Sequence, residues 1–258
     1  MHVAGDLTDS SFWDGYWAAA PAKGRRLAPL QHISQWKFDR MIRRMLDAAG
    51  APTSDVLELG CAPGTMLQRI HRLRPQLRLS GIDYAEQGCR TTAAALQQMG
   101  LPPNVHYGDV RSVQLPKQFD VVVSFGLVEH FDDPVEILLC HARFCRPGGH
   151  VAVSMPCFTS PVARFLTARF CPDLVAIHNL EIMNLRTLRA AMHAAGLTNV
   201  RVGGDGGHKL YPVISRRDPL SKAYAAAARL WNAAAVLVPP QLGWNANLWA
   251  VGQVPERQ

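Results

Sequence analysis

The stretch that decides the fold reads Val56-Leu57-Glu58-Leu59-Gly60-Cys61-Ala62-Pro63-Gly64-Thr65. An apolar run with strand character enters a turn holding two glycines, and from Thr65 the apolar residues recur at helical spacing. Glycine lets backbone approach a ligand closely, and a helix start offers unpaired N–H groups. The next strand, Leu77 to Ile82, runs into Asp83, 23 residues past Gly60. In dinucleotide-type folds about 20 residues separate the glycine turn from the acid that meets a ribose diol. A dinucleotide turn would read Gly-x-Gly-x-x-Gly and a triphosphate loop would end Gly-Lys-Ser/Thr; the chain has neither here. Glu58, two residues before Gly60, would repel a pyrophosphate but suits a cofactor that carries an ammonium group.

Outward from this turn, short apolar runs alternate with helical ones. Strands are expected at Asp55 to Leu59, Leu77 to Ile82, Val105 to Tyr107, Phe119 to Phe125 and His150 to Met155. Helices are expected from Thr65 to Leu73, from Ala85 to Gly100 and from Pro134 to Phe144, with a turn at Pro147-Gly148-Gly149. Phe119-Asp120-Val121-Val122-Val123-Ser124-Phe125 has the β-branched, two-faced apolarity of a central parallel strand. Upstream, Trp36, Phe38, Met41, Ile42, Met45 and Leu46 mark a helix capped at Ser34 and closed at Gly50. Downstream, a helix from Asn184 to Ala195 precedes a strand from Leu197 to Val202. After a glycine-rich turn (203–207) and an alanine-rich helix from Ser221, a last strand spans Ala246 to Val254. The last two strands are expected to pair antiparallel at one edge. The fold class is thus α/β, a Rossmann-like, doubly wound, mostly parallel seven-stranded sheet with helices on both faces and an antiparallel edge strand. Residues 1–50 read as an aromatic lid and helix, 51–202 as the cofactor-binding core, and 203–258 as a helical cover insertion with the final strand at the sheet edge.

Composition narrows the class further. The chain has 258 residues, 48% hydrophobic and 18% charged, enough to bury a core without staples and too apolar for disorder. The net charge of +7 is spread in small groups, so nucleic acid is not an expected partner. Six cysteines without a Cys-x-x-Cys pair, and a first ten residues with neither basic start nor apolar run, predict reduced thiols and a cytoplasmic chain. Ala223 to Val238 is interrupted by Arg229 and Asn232 and falls short of the ~20 residues of a membrane span. A monomer or homodimer acting on a small molecule fits these limits.

Four segments in order, VLELGCAPG (56–64), LSGIDYAEQ (79–87), YGDV (107–110) and FDVVVSFGLVEHFDDP (119–134) followed by RPGGHVAVSMP (146–156), resemble class I S-adenosylmethionine (AdoMet)-dependent methyltransferases of the small-molecule type. The resemblance implies that Gly60, Cys61, Ala62 and Gly64, with Glu58, cradle the methionine part. It implies that Asp83 holds the ribose hydroxyls, Tyr84 flanks the adenine, Asp109 accepts from its amino group and Val110 packs nearby. Ser124, Phe125 and Gly126 would line the end of the fourth strand. Pro63 departs from the commoner loop and removes one N–H donor.

Methyl transfer is displacement at a carbon already activated by a sulfonium, so the protein's tasks are alignment, water exclusion and proton handling. Glu129 and His130 follow the fourth strand, and His130 is the candidate base, with an architectural role as the other reading. Metal-binding relatives carry Glu-x-x-Glu-His here; Gly126 occupies the first Glu position, so no metal is expected. Trp13, Tyr16 and Trp17 read either as a lid over the sulfonium or as anchors for the first helix. His178, His208 and Tyr211 are candidate acceptor contacts. The favoured reading is an O-methyltransferase of secondary-metabolite or sugar biosynthesis. Its rivals are a C-methylating or cyclopropane-type lipid or quinone enzyme, and a protein of the same fold that binds AdoMet without transferring methyl.

Overall fold

A parallel strand buried on both faces needs apolar residues at successive positions, and β4 (Phe119–Phe125) has them. Val121 and Val123 join the core on one side of the sheet and Val122 the core on the other. The computed structural model describes residues 6–19, 29–50, 55–115, 118–158, 160–205, 210–212, 214–216, 218–235 and 246–256, without the side chains at 18, 19 and 29–34. Around β4 lies a seven-stranded sheet in the order β3 (Val105–Tyr107), β2 (Arg78–Asp83), β1 (Asp55–Leu59), β4, β5 (Cys145–Pro156), β7 (Asn247–Gln253), β6 (Thr198–Asp205). The first five of these strands are parallel. β7 runs antiparallel to both neighbours, one strand in from the β6 edge.

One face of the sheet is covered by α2 (Pro29–Ala48), α3 (Thr65–Leu73) and α4 (Glu86–Gln97), which bury Met41, Ile42, Met45, Leu67, Ile70 and Leu96. The other is covered by α5 (Pro134–Phe144) and α8 (Leu185–Ala194) through Ile137, Leu138, Leu188 and Met192. Side chains cap the starts of α5 and α8. Asp133 accepts from Val135 and Glu136 N–H with Pro134 in the first turn, and Asn184 accepts from Arg186 N–H. A satellite core of Cys171, Tyr224 and Ala228 joins α6 (Pro161–Phe170), α7 (Pro172–Ala176) and α9 (Pro219–Ala235), with Phe170 stacked on Tyr224 at 4.3 Å. No helix of the described residues is long and apolar enough to cross a membrane.

Several expectations need correction. Trp13, Tyr16 and Trp17, for which no element was expected, stand on a helix, α1 (Ser10–Ala19), started by Asp9, whose carboxylate accepts from Phe12 N–H at 2.8 Å. α2 begins at Pro29 rather than Ser34, since proline is tolerated in a first turn. Pro147 to Gly149 fall within the span of β5, which starts at Cys145 and bends there, with a register shift against β4 and a left-handed Gly148 (φ +75°). β6 continues through Gly203, Gly204 and Asp205, expected as a turn. Trp249 of β7 lies across Gly203, where a Cβ would come within 2.5 Å of its indole, so glycine here makes room for a tryptophan rather than for a bend. Buried Asp205 then ties the edge strand to α2 through Arg40 (3.1 Å) and Arg44 (2.8 Å).

Candidate functional site

The turn after β1 is left-handed at Gly60 (φ +70°) and Gly64 (φ +83°), which favours glycine at both. Its N–H groups are all engaged within the protein. Gly60 and Cys61 donate to the Ile82 carbonyl (2.9 and 3.1 Å), Ala62 donates to Asp83 Oδ2 (2.9 Å), Gly64 donates to the Cys61 carbonyl (2.7 Å), and Pro63 has no N–H. Among the described residues none donates to the Gly60 carbonyl. Glu58, buried beneath the turn, accepts from the Leu67 N–H in the first turn of α3 and so occupies the place an anionic ligand would take. Burial, and then the Asp83 charge, push its carboxyl well above the usual carboxylate range. A turn with its donors spent, a carbonyl free and acids on two sides is built for a cation rather than a phosphate.

Asp83, at the end of β2, is buried and accepts from Ala62 and Ala85 N–H (both 2.9 Å). After β3, Asp109 accepts from Arg111 N–H at 2.8 Å and is partly exposed. The C-terminal ends of β1, β2, β3 and β4, neighbours in the sheet, open on one cavity with about 880 Å³ of atom-free space, counting the part open to solvent. Open α/β sheets bind ligands at this crevice, where strand order reverses between β1 and β4. Gly60, Ala62, Asp83, Tyr84, Asp109, Val110, Phe125, Gly126 and His130 line it, and α1 brings Trp13, Tyr16 and Trp17 to the same space.

The amino-terminal segment straps this roof in place. Leu7 N–H donates to the His130 carbonyl (3.0 Å), and Asp6 forms an isolated antiparallel bridge with Phe131. Trp13 Nε1 donates to Thr8 Oγ1 (2.9 Å), and Tyr84 donates through its hydroxyl to the Thr8 carbonyl (3.3 Å). Arg111 binds buried Asp6, Asp109 (3.4 Å) and Glu136 (3.0 Å) while lying over the Phe131 ring. Its three carboxylates hold the guanidinium firmly charged.

His130 closes the cavity edge in the 3-10 turn Val128–His130. Its ring meets Trp13 edge-on at 5.1 Å and lies 4.5 Å from the His178 ring, and its Nδ1 is 2.7 Å from the Ile177 carbonyl. Burial, reinforced by His178, pulls its pKa down to about 3, so the imidazole is neutral. Glu129, buried behind it, is pushed by desolvation up to about 8.

Not every expected residue reaches the cavity. Cys61 turns its thiol onto Gly81 of β2, and Gly64 packs against Thr92 of α4. Ser124 is buried with its hydroxyl donating to His141 Nε2 at 2.9 Å, His141 Nδ1–H being held by the Ile137 carbonyl. Glu58 and Glu129 lie beneath or behind the wall, His178 stands against His130, and Tyr211 packs on the Phe158 ring at 5.0 Å. His208 lies outside the described residues. Asp6, Thr8, Gly108, Arg111, Leu127 and Phe131 line the cavity without having been singled out. An arginine directly after Gly108-Asp109-Val110 was a usable signal; Asp6 and Thr8 gave none, because only folding brings the amino terminus here.

A family model for the methyltransferase domain matches residues 30–202. This chain belongs to the methyltransferase-domain family. Among curated relatives, this chain is 33% identical over 136 residues to nocamycin O-methyltransferase of Saccharothrix syringae, covering 51% of this chain and 49% of that one. It is 30% identical over 131 residues to the ubiquinone biosynthesis O-methyltransferase of Albidiferax ferrireducens, covering 49% of each. The chain thus spans about half the length of the curated relatives it matches. Solved structures share this chain's fold at low identity. The [4+2]-cyclase SpnF aligns with a TM-score of 0.61 at 16% identity over 96% of each chain. Geranyl diphosphate C-methyltransferase of Streptomyces coelicolor A3(2) aligns with 0.60 at 13% identity over 95% of this chain and 97% of that one.

Proposed function

We propose that the protein binds AdoMet in the cavity at the ends of β1 to β4 and transfers its methyl group to an oxygen of a small-molecule acceptor. The observation that carries this reading is the turn at 60–64, whose N–H donors are all used internally while the Gly60 carbonyl has no donor among the described residues. That arrangement fits an ammonium-bearing amino-acid tail and not a pyrophosphate. In this assignment the ammonium donates to the Gly60 carbonyl, and the ribose hydroxyls meet the remaining lone pairs of Asp83. Asp109 accepts from the adenine amino group between Tyr84 and Val110. Trp13, Tyr16 and Trp17 of the 1–50 lid cover the sulfonium, where cation–π attraction is worth about 0.5–2 kcal/mol. Residues 51–202 form the core, and 203–258 complete it.

His130 belongs to the acceptor side, with Glu129 buried behind it. An imidazole held near pKa 3 resists taking a proton at neutral pH, so His130 positions the acceptor rather than serving as a free-standing base. The acceptor hydroxyl is then one far more acidic than an alcohol, a phenol or an enol with a pKa of about 10 or below, whose proton passes to water as the O–CH₃ bond forms. Its oxygen lone pair attacks the methyl carbon in line with the S–C bond, and the bonding pair stays on sulfur, leaving S-adenosylhomocysteine (AdoHcy). Both curated relatives quoted are named O-methyltransferases, which agrees with an oxygen acceptor.

The test is AdoHcy release from AdoMet with phenolic and enolic acceptors, paired with calorimetry of AdoHcy binding. Asp83→Ala is expected to weaken AdoHcy binding by about 1–3 kcal/mol, the loss of hydrogen bonds to a charged group. No binding heat in the unaltered protein would overturn the reading. Binding with no turnover on any acceptor would favour the non-transferring alternative.

A further inference from the structure

Behind the His130 wall lies a group of side chains whose geometry asks for an occupant. Glu129 and His130 sit in the 3-10 turn after β4, and His178 follows α7, the two segments tied by Asn179 N–H donating to the Glu129 carbonyl at 2.6 Å. One ligating atom from each of Glu129, His130 and His178 lies within 4.8 Å of the other two. Both tautomers are fixed. Nδ1 of His130 is 2.7 Å from the Ile177 carbonyl and Nδ1 of His178 is 2.6 Å from the Leu174 carbonyl. A carbonyl only accepts, so each Nδ1 carries the hydrogen and each Nε2 keeps its lone pair, the arrangement that orients histidine for a metal. Glu129 is 1% exposed, and neither of its carboxyl oxygens has a hydrogen-bond partner among the described residues. A buried carboxyl with no partner carries a desolvation cost that needs an explanation.

We propose that Glu129, His130 and His178 form a binding site for one divalent transition-metal ion. Two neutral imidazole nitrogens and one carboxylate oxygen suit Zn²⁺, Co²⁺ or Fe²⁺ far better than Mg²⁺ or Ca²⁺, which prefer all-oxygen shells. Three protein ligands leave a coordination position open, as catalytic sites do. The sequence reading set a metal aside because Gly126 replaces the first Glu of Glu-x-x-Glu-His; here a third ligand comes from a different element, 48 residues past His130.

The role of the ion rests on the methyl-transfer reading above, though its binding does not. His130 also lines the cofactor cavity, so an ion that it holds adjoins the acceptor space. An acceptor hydroxyl bound at the open position becomes more acidic and loses its proton to water. The oxyanion then forms the O–CH₃ bond as the C–S pair returns to sulfur, giving the methyl ether and AdoHcy. His130 thereby acts through its lone pair, as a ligand, which a neutral buried imidazole can do at any pH near 7.

The experiment uses the full chain, stripped with a chelator and titrated with Zn²⁺, Co²⁺ and, for contrast, Mg²⁺. One Zn²⁺ per chain, visible ligand-field bands with Co²⁺, and no response to Mg²⁺ at the same concentrations are expected. Loss of an outer-shell partner already costs metal sites about 10–100-fold in affinity, so Glu129→Gln and His178→Gln are each expected to weaken Zn²⁺ binding by at least about 100-fold. AdoHcy calorimetry on His178→Gln, a residue outside the cofactor cavity, reports that the variant is folded, and that variant decides the matter if Glu129→Gln does not fold. Absence of Zn²⁺ and Co²⁺ uptake by the stripped unaltered protein, or equal affinity in His178→Gln, would overturn the proposal. Failure of AdoHcy to bind while Zn²⁺ still does would sink the AdoMet reading and leave the metal site standing.

Discussion

His141 shows what a single buried residue contributes. It is fully buried on α5, donates from Nδ1 to the Ile137 carbonyl and accepts from Ser124, so its imidazole is neutral and burial draws its pKa down to about 4. An unfolded chain takes up this proton below about pH 6.5, whereas the folded one refuses it until about pH 4, so stability falls as pH drops through that window and is complete above it. Denaturant unfolding at pH 7.5 and 4.5 is expected to show a loss smaller by about 2–3 kcal/mol in His141→Gln than in the unaltered protein. The same residue explains why Ser124, at the end of β4, turns its hydroxyl away from the cavity. On β4 the sequence gives its position at the strand end but not its partner, and a histidine 17 residues downstream claims the hydroxyl. Asp83 was legible because spacing alone brings an acid to the end of β2. His178 was not legible as a partner of Glu129 and His130, since nothing in 48 residues of sequence fixes where that connection returns.

Among the elements, α1 and the segment before it carry the largest functional consequence. Asp6 is buried and held by Arg111, and the strap that they secure places Trp13 over His130. Arg111→Met removes a charged partner from a buried acid and is expected to loosen this strap by about 1–3 kcal/mol. Limited proteolysis is the measurement: cleavage within the first 20 residues should accelerate while the sheet core stays resistant, and an unchanged cleavage rate would remove Arg111 from this role. Helices and parallel strands were readable from periodicity, because burial of one helix face or both strand faces imposes a pattern on the chain itself. The elements misjudged were those with another rule. β5 and β6 incorporate glycines that look like turns, and at Gly203 the deciding atoms belong to Trp249 on a neighbouring strand.

At the scale of the molecule, the cavity is assembled from four strand ends and an amino-terminal helix, so filling it joins parts that are distant in the chain. Any ligand that binds only the folded protein stabilises it by RT ln(1 + [L]/Kd), about 2.7 kcal/mol at a hundredfold excess over Kd. For a protein of this size that corresponds to a rise of roughly 5–10 °C in Tm, and AdoHcy in a thermal-shift experiment should produce it. The order β3-β2-β1-β4-β5-β7-β6 belongs to the folded sheet, but a mostly parallel seven-stranded sheet whose last two strands pair antiparallel was readable from the alternation of strand and helix. Local chemistry was enough for this, because glycine, capping residues and apolar periodicity act within a few residues of where they stand. The tertiary structure alone decided that the glycine turn offers a carbonyl instead of N–H groups, that Glu58 serves α3, and that two histidines and an orphaned glutamate converge. Those outcomes depend on hydrogen-bond partners far apart in sequence, and which donor meets which acceptor is fixed only when packing brings them together.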